Sequence, residues 1–352
     1  MNTKYLDLYT DYLAVTFGYA TAADLSNMLD GSISHDKFTR FLADGEWSSE
    51  DLRKQVKSTV REIESGYGAL IFDDTVEEKP RMDENDLIAR HYDHCTGRGI
   101  KGISMLNCLY HVGDVSVPAA FGLIREPVRF SDLKTRREKR RSEVTKNELL
   151  RAMIDTCMKN RIKFTWSLFD SRFSSVENMK YIKLEHKKEF IGALKSNRLV
   201  APTEEDRKNK KFTRIDQTER SEQEVVAGRL KGPEFPVRPA RRVFTDRDGS
   251  AGILYPACSQ PTADRNTITT IYKKRRNVEV YHKSLKSNAA SAESPARRVN
   301  ARSNHIFASV ITVFKTERLK IRTKMNHFAL RSKLCLKAVR SAFDELQQLQ
   351  AA

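Results

Sequence analysis

The chain has 352 residues, of which 39% are hydrophobic, enough to fill the core of one large domain with an insertion or of two to three smaller domains. Its 63 Lys and Arg against 46 Asp and Glu give a net charge of +17, which favours a polyanionic partner such as nucleic acid. No apolar run approaches the roughly 18 residues of a membrane span, and the opening "MNTKYLDLYTDYL" is acidic where a signal peptide is basic, so we expect a cytoplasmic protein, nucleoid-associated in a prokaryote, without a membrane partner.

The five cysteines argue against a disulfide framework and a zinc ribbon, because they are odd in number, scattered and contain no Cys-x-x-Cys. We expect them to be reduced core residues. The segment "HYDHC" brings His91, His94 and Cys95 together, but it lacks a second ligand pair, so zinc binding is not predicted there.

The first 65 residues are predicted to form a helical N-terminal region. The stretch "TAADLSNMLDGSISHDKFTRFLADG" contains two short amphipathic segments around Gly31, at the spacing of a helix-turn-helix with residues 35–42 as the recognition helix. Residues 1–60 carry six Lys and Arg against nine Asp and Glu, which favours plain helical packing as the alternative. The positive charge lies in the last third, where residues 272–340 carry 18 Lys and Arg and three Glu.

A mixed sheet flanked by helices is predicted over residues 66–198. The apolar runs "GALIFDD", "ISMLNCLY" and "VSVPAAFGLI" are typical of strands, and "HVGD" joins the last two as a hairpin. The helix "KNELLRAMIDTCMKN" is followed by the strands "KFTWSLFD" and "EFIGALK", with a helix between them that a capping box from Ser174 to Glu177 opens. The basic run at residues 134–141 is compatible with gripping DNA and equally with a solvated loop.

The rest of the chain divides into three parts. Residues 199–264 are polar and contain prolines, which indicates a β-rich insertion, with a hairpin whose turn includes Asp248 and Gly249. Residues 265–303 hold a basic helix and a basic connection, and residues 304–352 form C-terminal helices. Three residues of these C-terminal helices repeat at helical spacing and are expected to pack onto the core: Ile306, Val310 and Phe314.

Four carboxylates stand where this fold can bring them together. Asp73 and Asp74 end the first strand and Asp170 ends "SLFD", and equivalent ends of neighbouring strands meet at one edge of a sheet. Glu279 is the single acidic residue of "YKKRRNVEVYHKSLK", and at about 100° per residue it shares a helical stripe with four others: Tyr272, Arg275, Lys283 and Lys286. The alternatives are that the aspartates end strands at turns and that Glu279 pairs with the lysine at i+4.

Carboxylates on one edge suit metal-assisted chemistry on a phosphodiester. They are hard oxygen ligands of the kind that Mg²⁺ prefers, and two such ions can activate an attacking oxygen and stabilise a leaving oxygen. Neighbouring Arg and Lys would hold the phosphates and neutralise charge in the transition state.

These motifs resemble a known enzyme family. Tyr272-x2-Arg275-x3-Glu279-x6-Lys286 is similar to the tyrosine, arginine, glutamate, lysine signature of DDE transposases of the insertion-sequence-four superfamily. "IFDDTVEEK" resembles the first-aspartate motif of that family, "LFDSRFSS" the second, and "EFIGALKSNR" the strand that comes next in those enzymes. The resemblance covers about residues 66–345.

The resemblance implies a ribonuclease H-like core, interrupted by a mostly β insertion before the helix that bears the glutamate. Asp74, Asp170 and Glu279 would bind two Mg²⁺ ions, for which Mn²⁺ can substitute. Asp74 is preferred to Asp73 because the family's aspartate directly precedes a threonine, here Thr75, and alternation along a strand lets only one of the two serve.

The resemblance also implies a set of DNA contacts around the cleaved end. It implies that Tyr272, Arg275 and Lys286 contact phosphates there. Arg298 and His305 are further candidates because they lie close to the signature helix in sequence, and the remaining candidates are Lys283, Lys195, Asn197 and Arg198. Some relatives use a tryptophan of the insertion to stack on a flipped base, but here the only tryptophans are Trp47 and Trp166. Phe235, Phe244 and Tyr255 remain open as substitutes.

The function implied is cut-and-paste DNA transposition. The enzyme would bind the inverted repeats at the ends of its element, hydrolyse the 3′ strand and use the freed 3′ hydroxyl to attack target DNA. Synapsis of two ends implies a homodimer. Two alternatives are a domesticated DNA-binding regulator with the same fold and a metal-dependent structure-specific nuclease.

Overall fold

The computed structural model describes residues 1–93, 97–133, 136–218, 229–245 and 249–351. The helices in these ranges are α1 (Thr3–Val15), α2 (Ala22–Met28), α3 (His35–Ala43), α4 (Ser49–Ile63), α5 (Lys146–Lys159), α6 (Val176–Lys180), α7 (Glu204–Lys208), α8 (Arg265–Lys273), α9 (Arg276–Asn288), α10 (Val299–Thr323) and α11 (His327–Ala351). Among the described helices, none combines the length and the apolar composition that crossing a membrane requires.

The strands lie between the N-terminal helices α1–α4 and the C-terminal helices α8–α11, with α5, α6 and α7 among them. They are β1 (Ala69–Glu78), β2 (Ala89–Asp93), β3 (Arg98–Val112), β4 (Val115–Leu123), β5 (Val128–Asp132), β6 (Arg137–Arg141), β7 (Trp166–Phe169), β8 (Glu189–Leu194), β9 (Leu199–Ala201), β10 (Thr213–Arg214), β11 (Arg229–Leu230), β12 (Arg238–Pro239), β13 (Arg242–Thr245) and β14 (Ala251–Cys258).

Nine of the described strands form one mixed sheet in the order β12-β14-β8-β7-β1-β3-β2, with β4 added to β3 and β13 added to β14. The middle strands β1, β7 and β8 run parallel, whereas β3 and β14 pair antiparallel on either side of them. Leu70, Ile71 and Phe72 of β1 are fully buried, as are Leu168 and Phe169 of β7. Burial on both faces explains why these strands are continuous apolar runs, and the predicted mixed sheet flanked by helices is confirmed.

The N-terminal helices pack around α10. The hydroxyl of Tyr9 on α1 lies 2.8 Å from Nδ1 of His305, and the amide of Asn304 donates to the carbonyl of Leu42 in the last turn of α3 at 2.9 Å. The residues predicted to face the core from this helix are buried: Ile306, Val310 and Phe314. The long C-terminal helix α10 is therefore a core element that joins the N-terminal region to the sheet.

Two local predictions are wrong. The helix α6 is capped by Ser175, whose side chain accepts from the backbone N–H of Asn178. Ser174 instead donates to the carbonyls of Asp170 and Ala193, so the proposed Ser174–Glu177 capping box does not form. The basic segment is two helices rather than one, because α8 ends at Lys273 and α9 begins at Arg276.

The predicted insertion contains strands, but they do not all stand apart from the main sheet. β9, β10 and β11 form a small sheet of their own, whereas β14 pairs with β8 and extends the main one. The predicted hairpin is seen as β13 paired with β14. Three sequence predictions fall partly outside the described residues: His94 and Cys95 of "HYDHC", Lys134 of the basic run, and the turn residue Asp248.

A substitution at Gly192 on β8 would test how closely β8 packs against the end of β7. A Cβ at this position would lie 2.2 Å from a ring carbon of Phe169 and 2.6 Å from the hydroxyl of Ser174. We expect Gly192→Ala to lower the free energy of unfolding by about 1–3 kcal/mol through overpacking, measured by urea denaturation. Gly66→Ala is the matched control, because a Cβ there meets nothing within 4 Å. Equal stability of the two variants would contradict the close contact between β7 and β8.

Candidate active site

The parallel pairing of β1 with β7 places two aspartates side by side. Ile71 lies opposite Leu168 in this register, so two residues further on Asp73 lies in line with Asp170 on the same face of the sheet. Asn107 of β3 is the partner of Asp73 on the other side, and its side chain contacts Nε2 of His282 on α9 at 3.1 Å. Asp73 therefore belongs to the face that α8 and α9 cover.

The side chain of Asp74 differs from that of Asp73 in some of its partners. Its Oδ2 accepts from the ammonium group of Lys146 at the start of α5 at 2.5 Å. Its Oδ1 is buried and accepts no hydrogen bond, although Nη2 of Arg172 lies 2.6 Å away. Of the two aspartates, the geometry thus favours Asp73 as the one that meets the signature helices, whereas the threonine pattern favours Asp74.

The guanidinium of Arg172 links three carboxylates. Its Nε donates to Oδ2 of Asp170 at 2.8 Å, and its Nη2 lies 3.3 Å from Oδ1 of Asp73 and 2.6 Å from Oδ1 of Asp74. The backbone N–H of Arg172 also donates to Oδ1 of Asp170 at 2.9 Å. One cation therefore faces Asp73 and Asp74 within β1 and Asp170 directly after β7. The prediction that Asp73 and Asp74 end their strand is wrong, because β1 continues to Glu78 in its pairing with β3.

A second arginine, Arg275, links Glu279 to these carboxylates. Nη1 of Arg275 donates to Oδ2 of Asp73 at 3.0 Å, and its Nη2 donates to Oε1 of Glu279 at 2.8 Å. The side chain of Glu279 is 53% exposed, whereas that of Asp73 is 10% exposed. Glu279 consequently stands at the open edge of the cluster, where a ligand from solvent can reach it.

Burial and neighbouring charges shift the pKa values of Asp73 and Asp74 in opposite directions. Burial raises the pKa of Asp73 to about 6; Arg275 opposes this rise, while the charges of Asp170 and Asp74 add to it. Burial would also raise the pKa of Asp74, but Lys146 and Arg172 outweigh it and hold that pKa below its usual value. Clustered carboxylates with such shifts are typical of functional sites.

The donor set fits a hard divalent cation. Four carboxylates supply oxygen ligands of the kind that Mg²⁺ takes, and the buried Oδ1 of Asp74, although 2.6 Å from Nη2 of Arg172, accepts no hydrogen bond. In the part of the chain that the structure describes, however, no three His, Cys, Asp or Glu side chains are already arranged to hold a metal ion. The guanidiniums of Arg172 and Arg275 lie against the carboxylates, so a metal ion would have to displace them.

The remaining signature residues differ in whether they contact the strands near the carboxylates. The hydroxyl of Tyr272 donates to the carbonyl of Phe169 at 3.3 Å, next to Asp170, and burial raises its pKa to about 12. The ammonium of Lys286 donates to the carbonyl of Val76 on β1 at 2.9 Å. Lys283 instead points at the ring of Phe328 on α11, 5.1 Å from its centroid, and so the structure does not bring it to the carboxylates.

Other predicted DNA contacts are dispersed. Lys195 and Asn197 are exposed after β8, while Nη2 of Arg198 is buried there without a hydrogen-bond partner. Arg298 is exposed and precedes α10. The prediction that His305 contacts a phosphate is contradicted, because its ring is fully buried between Tyr9 and the carbonyl of Ala290.

Sequence reasoning missed two cations of the site. Arg172 follows Asp170 by two residues, and Lys146 stands at the N-terminus of α5 directly after its capping residue Thr145. The only signal for Arg172 is its place two residues after a strand-end aspartate. Nothing local signals Lys146, because Asp74 is 72 positions away in the chain.

The family model described as "DDE superfamily endonuclease" matches residues 3–232. The match includes the strands that carry Asp73, Asp74 and Asp170, and it ends before α8, α9 and Glu279. A search of curated proteins found no match. The family implies an enzyme that acts on nucleic acid, and its members typically use divalent metals. The match spans more than half of the chain, and the chain therefore belongs to the DDE superfamily endonucleases.

Proposed function

We propose that the protein is a DNA transposase of the insertion-sequence-four superfamily that works by cut and paste. The observation that carries this proposal is the cluster in which Arg172 and Arg275 join Asp73 of β1 and Asp170, which directly follows the parallel strand β7, to Glu279 on α9. The substrate is double-stranded DNA, both as the inverted repeats at the transposon ends and as the target.

The sheet supports a ribonuclease H-like interpretation of the core. Parallel β1, β7 and β8 next to the antiparallel strands β3 and β4 form the mixed sheet, and the helix that carries the glutamate comes after residues 199–264 along the chain. That segment would be the β insertion of the family, as predicted. The ends of the parallel strands are where such sheets place their ligands.

Asp73, Asp170 and Glu279 are the residues that would hold two Mg²⁺ ions, or Mn²⁺ in their place. When bound, such ions supply activation of an attacking oxygen and charge stabilisation of the leaving oxygen of a phosphodiester. Once released from the carboxylates, Arg275 is placed to bind the phosphate oxygens next to the cut. Lys286 approaches from the same helix, and Tyr272 braces the end of β7 that carries Asp170.

A structure-specific nuclease is the second candidate, because the matching family is described as an endonuclease. Both functions need the carboxylates, and they differ in the step after the cut. A transposase joins the freed 3′ hydroxyl to a second DNA molecule and acts on its own inverted repeats, whereas the nuclease cuts without joining. A domesticated regulator would bind the repeats without either reaction.

Removing one ligand should abolish cleavage. We expect Asp170→Asn and Glu279→Gln to cut duplex DNA bearing the sequence that flanks the gene at least about 10²-fold more slowly in Mg²⁺, the size of effect seen when one electrostatic group of an active site is lost. The measurement is gel analysis of cleaved and joined products. Glu345→Gln on exposed α11 is the matched control. Cutting by Glu279→Gln at the parent rate would refute the assignment.

The first ligand can be decided by a pair of neighbouring variants. We expect Asp73→Asn to lose cleavage and Ca²⁺ binding measured by calorimetry, because Asp73 lies on the face of Arg275 and Asp170. Asp74→Asn should keep both, with some loss of stability, because Lys146 then loses its buried partner. Thermal melting of both variants checks that they fold. The reverse result would restore Asp74, the residue that the threonine pattern favours.

A homodimer is part of the proposal, and α11 offers a surface for it. Leu336, Val339, Phe343 and Leu346 are 51%, 61%, 59% and 50% exposed, and their spacing of three, four and three matches the seam of a coiled coil. We expect the protein to sediment as a dimer and Phe343→Asp to shift it towards monomer. Ser341→Asp, on the opposite side of the helix, should leave it a dimer. A monomer with DNA bound would rule out the homodimer, and a dimer in Phe343→Asp would place its interface elsewhere.

A further inference from the structure

A groove of about 980 Å³ lies between the N-terminal helices and the segment that leads into α10. We call it the N-terminal groove; it is lined among others by Tyr5, Lys37, Arg40, Trp47, Arg297 and Arg298. Its position is set by Asn304, whose amide oxygen accepts from the backbone N–H of Trp47 at 3.0 Å. None of the four carboxylates of the candidate active site lines it.

Aromatic side chains form one wall of the groove. The ring centroid of Phe41 lies 5.8 Å from that of Tyr5 and 4.8 Å from that of Trp47. Trp47 packs in turn against Phe307 of α10, with centroids 5.4 Å apart. Tyr5 and Trp47 are half-buried, so each keeps part of its ring open to a ligand while its neighbours hold it in place.

Unpaired cations line the same groove. Lys37 and Arg40 on α3, and Arg297 and Arg298 before α10, are exposed, and none of the four forms an ion pair within the described ranges. Two carboxylates also line it, of which Asp36 lies 3.4 Å from Nδ1 of His35. Four cations against two carboxylates leave a positive surface in a concave site, which concentrates anionic ligands.

We propose that the N-terminal groove binds single-stranded DNA, with phosphates on its cations and a base against Tyr5 or Trp47. A positive groove that follows the backbone, combined with rings on which bases stack, is the arrangement by which proteins hold single strands. The volume of the groove is of the size of small-ligand pockets, about 300–1,000 Å³, which admits a few nucleotides but not a duplex. The proposal rests on the proposed function only for the choice of DNA.

The groove gives the N-terminal helices a role other than reading base pairs. The segment predicted as a recognition helix, α3, turns Lys37 and Arg40 towards the groove and buries Phe38, Phe41 and Leu42. Arg297 and Arg298 belong to the connection that starts where α9, the helix of Glu279, ends.

The two tryptophans make a direct test possible. Trp166 is 7% exposed in β7, whereas Trp47 is at the groove, so Trp166→Phe leaves Trp47 as the single reporter. With this variant in EDTA, we expect a short oligothymidylate to quench the fluorescence of Trp47, because a base stacks on the indole. Occupying about four phosphates should give a log-log slope of affinity against salt of about −3. A duplex of equal length should quench the fluorescence of Trp47 less, because a duplex does not fit the groove.

Charge variants decide whether the groove is responsible. Lys37→Gln, Arg40→Gln and Arg297→Gln together should weaken oligothymidylate binding at least tenfold and bring the salt slope close to −1. The matched control removes three exposed cations of α11: Lys333→Gln, Lys337→Gln and Arg340→Gln. Melting temperatures verify that both triple variants fold.

The outcomes separate this proposal from the proposed function. Asp170→Asn should bind the oligonucleotide as the parent does, because no metal or cleavage is involved. Equal weakening by the groove and control variants, or oligothymidylate binding that leaves the fluorescence of Trp47 unchanged, would overturn the groove as a single-strand site. Loss of cleavage without loss of oligonucleotide binding would bear only on the catalytic residues.

Discussion

The candidate active site depends on the parallel pairing of β1 with β7. That register puts Asp73 in line with Asp170, and two carboxylates side by side in a half-buried place repel each other. The pKa of Asp73 is raised to about 6, first by burial and then by the charges of Asp170 and Asp74, against the opposing charge of Arg275. The arrangement needs cations to be stable, and Arg172 and Arg275 supply them from two different parts of the chain.

The same cations attach the signature helices to the sheet. Arg275 reaches Asp73 across 202 positions of sequence, while Tyr272 contacts the last carbonyl of β7 and Lys286 a carbonyl of β1. Nonpolar packing alone would leave α9 free to shift along the sheet; hydrogen bonds at both of its ends define its position. Glu279 is placed at the rim by this attachment, through its bond with Arg275 one turn earlier.

Much of this organisation was predictable from the sequence, because apolar runs bounded by carboxylates mark buried strands and because Arg275 and Glu279 stand four residues apart. The sequence could not decide whether Asp73 or Asp74 is the metal ligand, since that depends on which face of the sheet α8 and α9 cover. The predicted stripe of signature residues required one continuous helix. The helix is interrupted at Lys274 and Arg275, between α8 and α9. Lys283 contacts the ring of Phe328 instead of the carboxylates. His305 stands near the signature in sequence, yet packing against Tyr9 buries it.

The charge balance of the site would couple the binding of a metal ion to the binding of DNA. Asp73, Asp74, Asp170 and Glu279 face Arg172, Arg275 and Lys146, so the cluster is already nearly neutral. A divalent ion bound by the same carboxylates would compete for them with the guanidinium of Arg172, whose side chain is 43% exposed. A guanidinium released in this way is an unpaired cation beside the place where a phosphodiester would lie. Binding of metal to the carboxylates and binding of DNA to the arginines would then favour each other, because each removes the charge that opposes the other.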